Sequence, residues 1–217
     1  MELSVMVGAL FEGLGLSAWI FVVTLIGSLP LGIVVALARM SKFKPLSLVA
    51  QFYISILRGT PLMLQLMAFM FAPYYLFGIS MDTDWKYGAC ALGFILNYSA
   101  YFAEIYRSGL QSIPKGQYEA ALVLGYSRSQ TFFKIVLPQV IKRIMPAMGN
   151  EIITLVKDTS LAFVLGVAEM FSVAKAISAS EVSMIPYALA ALIYWVFCLL
   201  IEFIIGRVEK KMAYYHD

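Results

Sequence analysis

The longest uncharged run in the sequence covers residues 13–38, with no Asp, Glu, Lys or Arg between Glu12 and Arg39. A helix needs about 20 apolar residues to cross a bilayer. Within hydrocarbon a lone segment satisfies its backbone N–H and C=O groups only as a helix. This run therefore commits the chain to helices in lipid. Further uncharged runs cover 59–81, 182–201 and 87–103, the last extendable through Glu104 toward Leu110. A fifth segment, 144–167, is apolar overall yet carries Glu151, Lys157 and Asp158. The expectation is an all-α integral membrane protein with five transmembrane helices, built as one domain over 1–217.

Composition agrees: 61% of residues are hydrophobic and 13% charged, against about 25% charged in soluble domains. So few charges cannot cover a soluble globule of this length. A cytosolic enzyme, a disordered tail and a disulfide-rich secreted module are all excluded. A net charge of +3 is too small to point to nucleic acid. Cys90 and Cys198 lie in apolar runs and read as small buried hydrophobes. No Lys or Arg precedes Arg39, which predicts a retained anchor rather than a cleaved signal peptide.

Lys and Arg collect on the cytoplasmic side of membrane proteins. With the N-terminus outside and five crossings, the inside receives Arg39, Lys42, Lys44, Arg107, Lys115, Arg128, Lys134, Lys142, Arg143, Arg207, Lys210 and Lys211. The outside receives Lys86 and Lys175, and Arg58 and Lys157 fall at membrane depth. This asymmetry predicts a cytoplasmic C-terminus and a long cytoplasmic connection over about 108–143. In that connection 118–124 reads as a short helix, with Gly125 placed for a left-handed cap. Ser127 and Gln130 form a capping-box pattern for a second helix, which Pro138 is expected to bend or end. Two short helices around a tight elbow make a docking shape.

The chemistry of an enzyme is missing. There is no G-x-x-x-x-G-K-[ST] phosphate loop and no Cys/His cluster for a metal. The single histidine, His216, reads as part of a frayed tail. No catalytic residue, metal site or cofactor is expected in this chain.

The elbow carries a signature. Glu119-Ala120-Ala121 is followed after three residues by Gly125, and after nine more by Ile135-Val136-Leu137-Pro138. This resembles the EAA motif of permease subunits of bacterial ABC importers at every fixed position. Arg58-Gly59-Thr60-Pro61, Ala103-Glu104-Ile105, Ile113-Pro114-Lys115-Gly116-Gln117 and Lys157-Asp158-Thr159-Ser160-Leu161 look like its polar amino-acid, histidine/glutamine-type branch. The resemblance implies a type I importer permease fold with a cytoplasmic coupling loop at 114–138, docked through Glu119, Ala120, Ala121, Gly125 and Arg128 onto a separate ATPase that holds ATP and Mg. It also implies a second permease subunit, identical or homologous, an extracytoplasmic solute-binding protein, an amino-acid substrate, and a bacterial inner or plasma membrane.

Ionisable groups at membrane depth are costly and are functional candidates by default. Asn150, Thr154, Lys157, Asp158 and Leu161 share roughly one helical face by three-and-four spacing, with Glu151 beside them. Glu151, Asn150 and Thr154 are expected to contact substrate, with Asn97 supplying an amide from across the pathway. Lys157, Asp158 and Thr159 read either as a lock between helix ends or as a hinge. Arg58 is expected to pair with Glu104 or to cap carbonyls at the break made by Gly59 and Pro61, and Glu104 to pair with Arg107. These three are gating or structural. Small residues at four-residue spacing, Ala9-Gly13-Ser17 and Ala89-Gly93-Asn97, mark close helix contacts. Five helices enclose a pathway poorly alone, so a two-subunit pore is expected. An ion-gradient transporter and a membrane scaffold remain as alternatives, although no inverted repeat supports the first.

Overall fold

The computed structural model describes residues 2–79 and 84–212, all in helices, turns and short connections, with no strand among the described residues. His216 and the last two positions of the 59–81 run lie outside the described residues. Helix α1 (Leu3–Arg39) lies along α4 (Trp85–Gln111) in the most extensive helix pair of the molecule. Its buried positions include Gly13, Ser17, Thr24, Ser28, Gly32 and Ala36. Small residues let the backbones approach without losing dispersion contacts. A Cβ on Gly13 would sit 2.8 Å from the Cα of Met170, where no rotamer change relieves the clash. Both predicted contact stripes are used: Gly13 and Ser17 are buried on α1, and Ala89, Gly93 and Asn97 on α4.

The second uncharged run is not one straight span. Pro61 precedes α3 (Leu62–Phe77), which at 16 residues rises only about 24 Å. An additional helix, α2 (Lys44–Gly59), comes before the break, and the two axes differ by 110°. α2 escapes a reading by hydropathy because it is amphipathic rather than uniformly apolar. Pro45 suits its first turn, where an N–H has no intrahelical partner.

The elbow follows the sequence closely in its caps. α5 (Lys115–Val123) ends in a pair of hydrogen bonds, Tyr126 N to the Ala121 carbonyl (3.0 Å) and Gly125 N to the Leu122 carbonyl (3.0 Å), with Gly125 at φ +78°. These are the two bonds of a Schellman cap. The Ser127 hydroxyl accepts from Gln130 N (3.2 Å) while the Gln130 side chain accepts from Ser127 N (2.9 Å), so the capping box is complete.

Pro138 does not end the second helix. After α6 (Arg128–Thr131) a π-helical stretch, Phe132–Val136, leads directly into α7 (Leu137–Asp158). The π stretch and the first-turn position of Pro138 leave no i−4 bond for the ring to break. A 3-10 segment, Thr159–Leu165, continues the fourth span. Before the last span, α9 (Ile185–Met212), stands α8 (Met170–Glu181), which reads in the sequence as a connection. Among the described residues α1 and α9 are each long and apolar enough to cross a membrane, and α2–α3 and the run from α6 through α8, bent by 59°, pass only as broken spans; α4 is the remaining segment of the five expected.

Candidate functional site

Where the α2–α3 break meets α4 and α7 there is a cavity of 370 Å³, lined among others by Thr60, Asn97, Tyr98, Tyr101, Glu151, Thr154 and Asp158. The break itself is held by a knot of amides. Gln65 Nε2 donates to the Leu57 carbonyl (2.9 Å), the Thr60 carbonyl (3.0 Å) and Thr60 Oγ1 (2.8 Å). Asn97 Nδ2 donates to the same Leu57 carbonyl (2.9 Å) and to Gln65 Oε1 (2.9 Å). Carbonyls freed by the kink therefore find partners, as irregular backbone at membrane depth requires.

The other polar groups are arranged in the same sense. Tyr98 OH donates to Asp158 Oδ2 (2.8 Å), and Thr154 Oγ1 donates to the Asn150 carbonyl one turn back (2.9 Å). Both Asn97 amide hydrogens, the Tyr98 hydroxyl and the Thr154 hydroxyl are thus engaged with protein. What these groups and the two carboxylates offer a guest is acceptors. Glu151, Thr154 and Asp158 stand at i, i+3 and i+7 on α7, so one face presents both acids. Arg58 lies with its guanidinium 5.2 Å from the centre of the Tyr101 ring.

Of the expected substrate contacts, Asn97, Glu151 and Thr154 come together here, while Asn150 is exposed and does not border the cavity. Asn97 is buried with its nitrogen turned into the break, so only its carbonyl oxygen is left for a ligand. Lys157 and Asp158 make no salt bridge with each other: the carboxylate meets Tyr98, and the ammonium borders a second, apolar groove of 590 Å³ with Phe171, Tyr187, Tyr194, Trp195 and Cys198. Adjacent helical residues point about 100° apart, which is why the pair separates. Thr159 is buried and donates to the Val156 carbonyl (2.7 Å) where the helix tightens into its 3-10 turn. Glu104 receives a forked bond from Arg107 (2.6 Å to Nη2) and also faces Arg58 at 4.0 Å, so both expected pairings are present. Arg58 serves Glu104 rather than the carbonyls at the break, which fall to Gln65 and Asn97.

Three features escape a reading of the sequence alone. Gln65, a lone amide in an apolar 16-residue helix, carried a readable signal. Tyr98 and Tyr101 carried none, because aromatic residues on an apolar helix are usually core. Glu169, fully buried, caps α8 by accepting from Phe171 N and Ser172 N (both 2.7 Å) and from Tyr194 OH (3.1 Å). Its place immediately before a helical run was the cue.

At the other site, the elbow, the five motif residues divide. Glu119, Ala120, Gly125 and Arg128 are exposed, whereas Ala121 is buried. Ala121 thus keeps α5 close to the following helix instead of thinning a docking face. The outward surface is apolar: Leu122, Val123 and Leu124 are 73%, 87% and 74% exposed, with Phe133 nearby in sequence at 61%.

The sequence matches the family described as "Binding-protein-dependent transport system inner membrane component" over residues 28–214. It is 40% identical over 204 residues to the arginine transport system permease protein ArtQ of Bacillus subtilis, covering 94% of this chain and 92% of that one. It is 39% identical over 187 residues to the L-cystine transport system permease protein TcyB of the same organism, covering 85% and 78%. Its fold is similar to a chain in the crystal structure of an amino acid ABC transporter with histidines, at TM-score 0.84, 32% identity and 94% coverage of both chains. The chain belongs to the family of binding-protein-dependent transport system inner membrane components and is a permease subunit of an ABC importer.

Proposed function

We propose that this permease imports polar amino acids with a preference for cationic ones, driven by ATP hydrolysed on a separate subunit. One observation carries the substrate reading: the Asn97 amide and the Tyr98 and Thr154 hydroxyls of the cavity donate to protein, leaving two carboxylates and neutral acceptors beside the Tyr101 hydroxyl. A ligand rich in donors and positive charge complements that lining. One with an anionic side chain would meet Glu151 and Asp158 at like charge. The relatives' names alone do not choose, since one names arginine and another cystine. In this reading Glu151, Thr154 and the Asn97 carbonyl contact substrate. Asp158, held by Tyr98, is the second anion and fixes the end of α7 where the 3-10 segment begins. Asn150 only accepts the Thr154 hydroxyl.

The exposed apolar surface of the elbow supports docking to a soluble protein. Water is a poor neighbour for Leu122, Val123 and Leu124, and a patch of this kind marks an interaction site. We assign the ATPase subunit, carrying ATP and Mg, to this end, with Glu119 and Arg128 orienting it at the rim. That places the elbow and the C-terminus in the cytoplasm and the N-terminus outside, as the Lys and Arg distribution favours. A second permease and an extracytoplasmic solute-binding protein complete the importer, in a bacterial inner or plasma membrane. Closure of two ATPases then moves the two elbows as rigid bodies and rocks the spans between access states.

Proteoliposome uptake tests this reading. Uptake of arginine or lysine that needs ATP, the ATPase and the binding protein is expected, and uptake by this chain alone on a proton or sodium gradient would sink it.

A further inference from the structure

The turn between α1 and α2 gathers cations at one membrane surface. Its depth is fixed by the register of α1 against α4. A Cβ at Gly27 would lie 2.6 Å from the Ile95 side chain, and one at Gly32 would lie 3.0 Å from the Phe102 Cβ. Two turns further along, Arg39 falls level with Arg107. The uncharged run of α1 ends at Arg39 and that of α4 at Glu104, so both helices mark the same surface. It is the end that carries the elbow, since α4 closes at Gln111 and α5 opens at Lys115.

The charge at this turn is of one sign. Arg39, Lys42 and Lys44 stand close together, and the sequence has no Asp or Glu from residue 13 to residue 81. Lys42 and Lys44 are exposed and have no hydrogen-bond or ion-pair partner among the described residues. Arg39 donates to Ser47 Oγ (3.1 Å) through one nitrogen of its fork. The acid of α4 at this level, Glu104, is already held by Arg107 at 2.6 Å. Three cations thus face the surface of an anionic leaflet, where each Lys or Arg adds attraction.

An apolar track leads from these cations into the bilayer. α2 descends from the turn: Ser47 lies against Arg39, while the Leu57 carbonyl accepts from Asn97, two turns deeper than Glu104 on α4. Its exposed Leu46, Val49, Phe52 and Ile56 share one face by three-and-four spacing, with Val49 and Phe52 67% and 68% exposed. From Leu46 to Ile56 the track is about 15 Å long, the depth of one leaflet in a core of about 30 Å. Phe43, between the two lysines, is 66% exposed. A soluble acidic protein would meet the cations and leave the track bare. An apolar helix would cover the track and leave the cations unpaired. A lipid with an anionic headgroup meets both.

We infer that the α1–α2 turn binds an anionic phospholipid, with Arg39, Lys42 and Lys44 on its phosphate and an acyl chain along Val49 and Phe52. The inference rests on the proposed function only in naming the leaflet as the cytoplasmic one. The test titrates the full chain with its ATPase, in detergent, with phosphatidylglycerol or phosphatidylcholine of equal acyl chains. Bound lipid is counted by native mass spectrometry. Phosphatidylglycerol should bind about tenfold more tightly than phosphatidylcholine. Lys42→Gln with Lys44→Gln should weaken its binding about 30-fold, and Lys42→Arg with Lys44→Arg should keep it. Lys210→Gln with Lys211→Gln, at the same surface but in a stretch that also carries Glu202 and Glu209, should change it by less than about threefold. Equal losses in the two glutamine pairs would leave only the general attraction of an anionic leaflet. No loss in the first pair, or equal binding of the two lipids, would remove the headgroup contact. Weaker ATPase binding with lipid retention unchanged would give the turn to an acidic protein. Each of these overturns the site. ATP-driven arginine uptake by the parent separates the two ideas: uptake without the lipid preference rejects this site alone, and the preference without uptake rejects the transport reading alone.

Discussion

The cavity beside α7 and the elbow at α5–α6 satisfy their polar groups in opposite directions. In the cavity the Asn97, Tyr98 and Thr154 donors turn into the protein, and two carboxylates and neutral acceptors line the space with the Tyr101 hydroxyl, so charge is left to select the guest. In the elbow the caps satisfy the backbone locally, and the side chains left outside are apolar. The difference follows from the surroundings. At membrane depth an unmet acceptor is costly until a cation fills it, which favours a small charged ligand. In water an exposed Leu–Val–Leu run loses little until a protein covers it, which favours a macromolecular partner.

Four variants test that contrast. The largest effect is expected from Glu151→Gln with Asp158→Asn, which removes both charges and keeps the shapes. At about 1.5–3 kcal/mol per charged hydrogen bond, stimulation of the ATPase by arginine should need at least 100-fold more ligand, with assembly unchanged. Equal dose dependence in the variant and parent would contradict the cavity assignment. Val123→Asp places a charge in the centre of the outward elbow patch. A central interface residue contributes about 2 kcal/mol or more, so ATPase binding measured by pull-down or interferometry should weaken about 30-fold, while substrate affinity stays put. Unaltered ATPase binding would move the docking surface elsewhere.

Gly125→Leu probes the backbone of the elbow. A Cβ at φ +78° costs about 1–2 kcal/mol, so the ratio of uptake to ATP hydrolysis should fall about tenfold in a protein that still inserts. Retained coupling would show that the left-handed turn is dispensable. The smallest effect is expected from Ser127→Ala, which loses an N-cap of about 1 kcal/mol. Coupling should drop no more than about fivefold, and an effect as large as that of Gly125→Leu would mean that the serine does more than cap.

Much of the elbow was legible in the sequence because its determinants are local. The Gly125 turn and the Ser127–Gln130 box each involve residues within five positions, and both formed as their spacing indicated. Its surface was less legible. Ala121, read as part of a docking face, is buried, because which side of α5 meets the next helix depends on the angle of the elbow. In the cavity Glu151 was found from its charge in an apolar run. Tyr98 was not, since its role comes from a contact 60 residues away, and Gln65, a lone amide in an apolar helix, was passed over although most of its partners lie within eight residues. The same reason hid α2 and α8: each is held by neighbours rather than by a hydrophobic run long enough to cross a membrane.

By itself the sequence determined the solvent, the all-helical class and the caps of the elbow. These follow from hydropathy averaged over the length of a bilayer-crossing helix and from caps a turn long, and neither needs a partner in space. Only the tertiary structure decided that the second span is bent by 110°, that Asn97 turns its nitrogen into that bend, and that Asp158 and Lys157 serve different cavities. Each of these depends on which helix lies opposite. A buried amide or carboxylate takes its role from the donor or acceptor it meets, and that partner is set by packing.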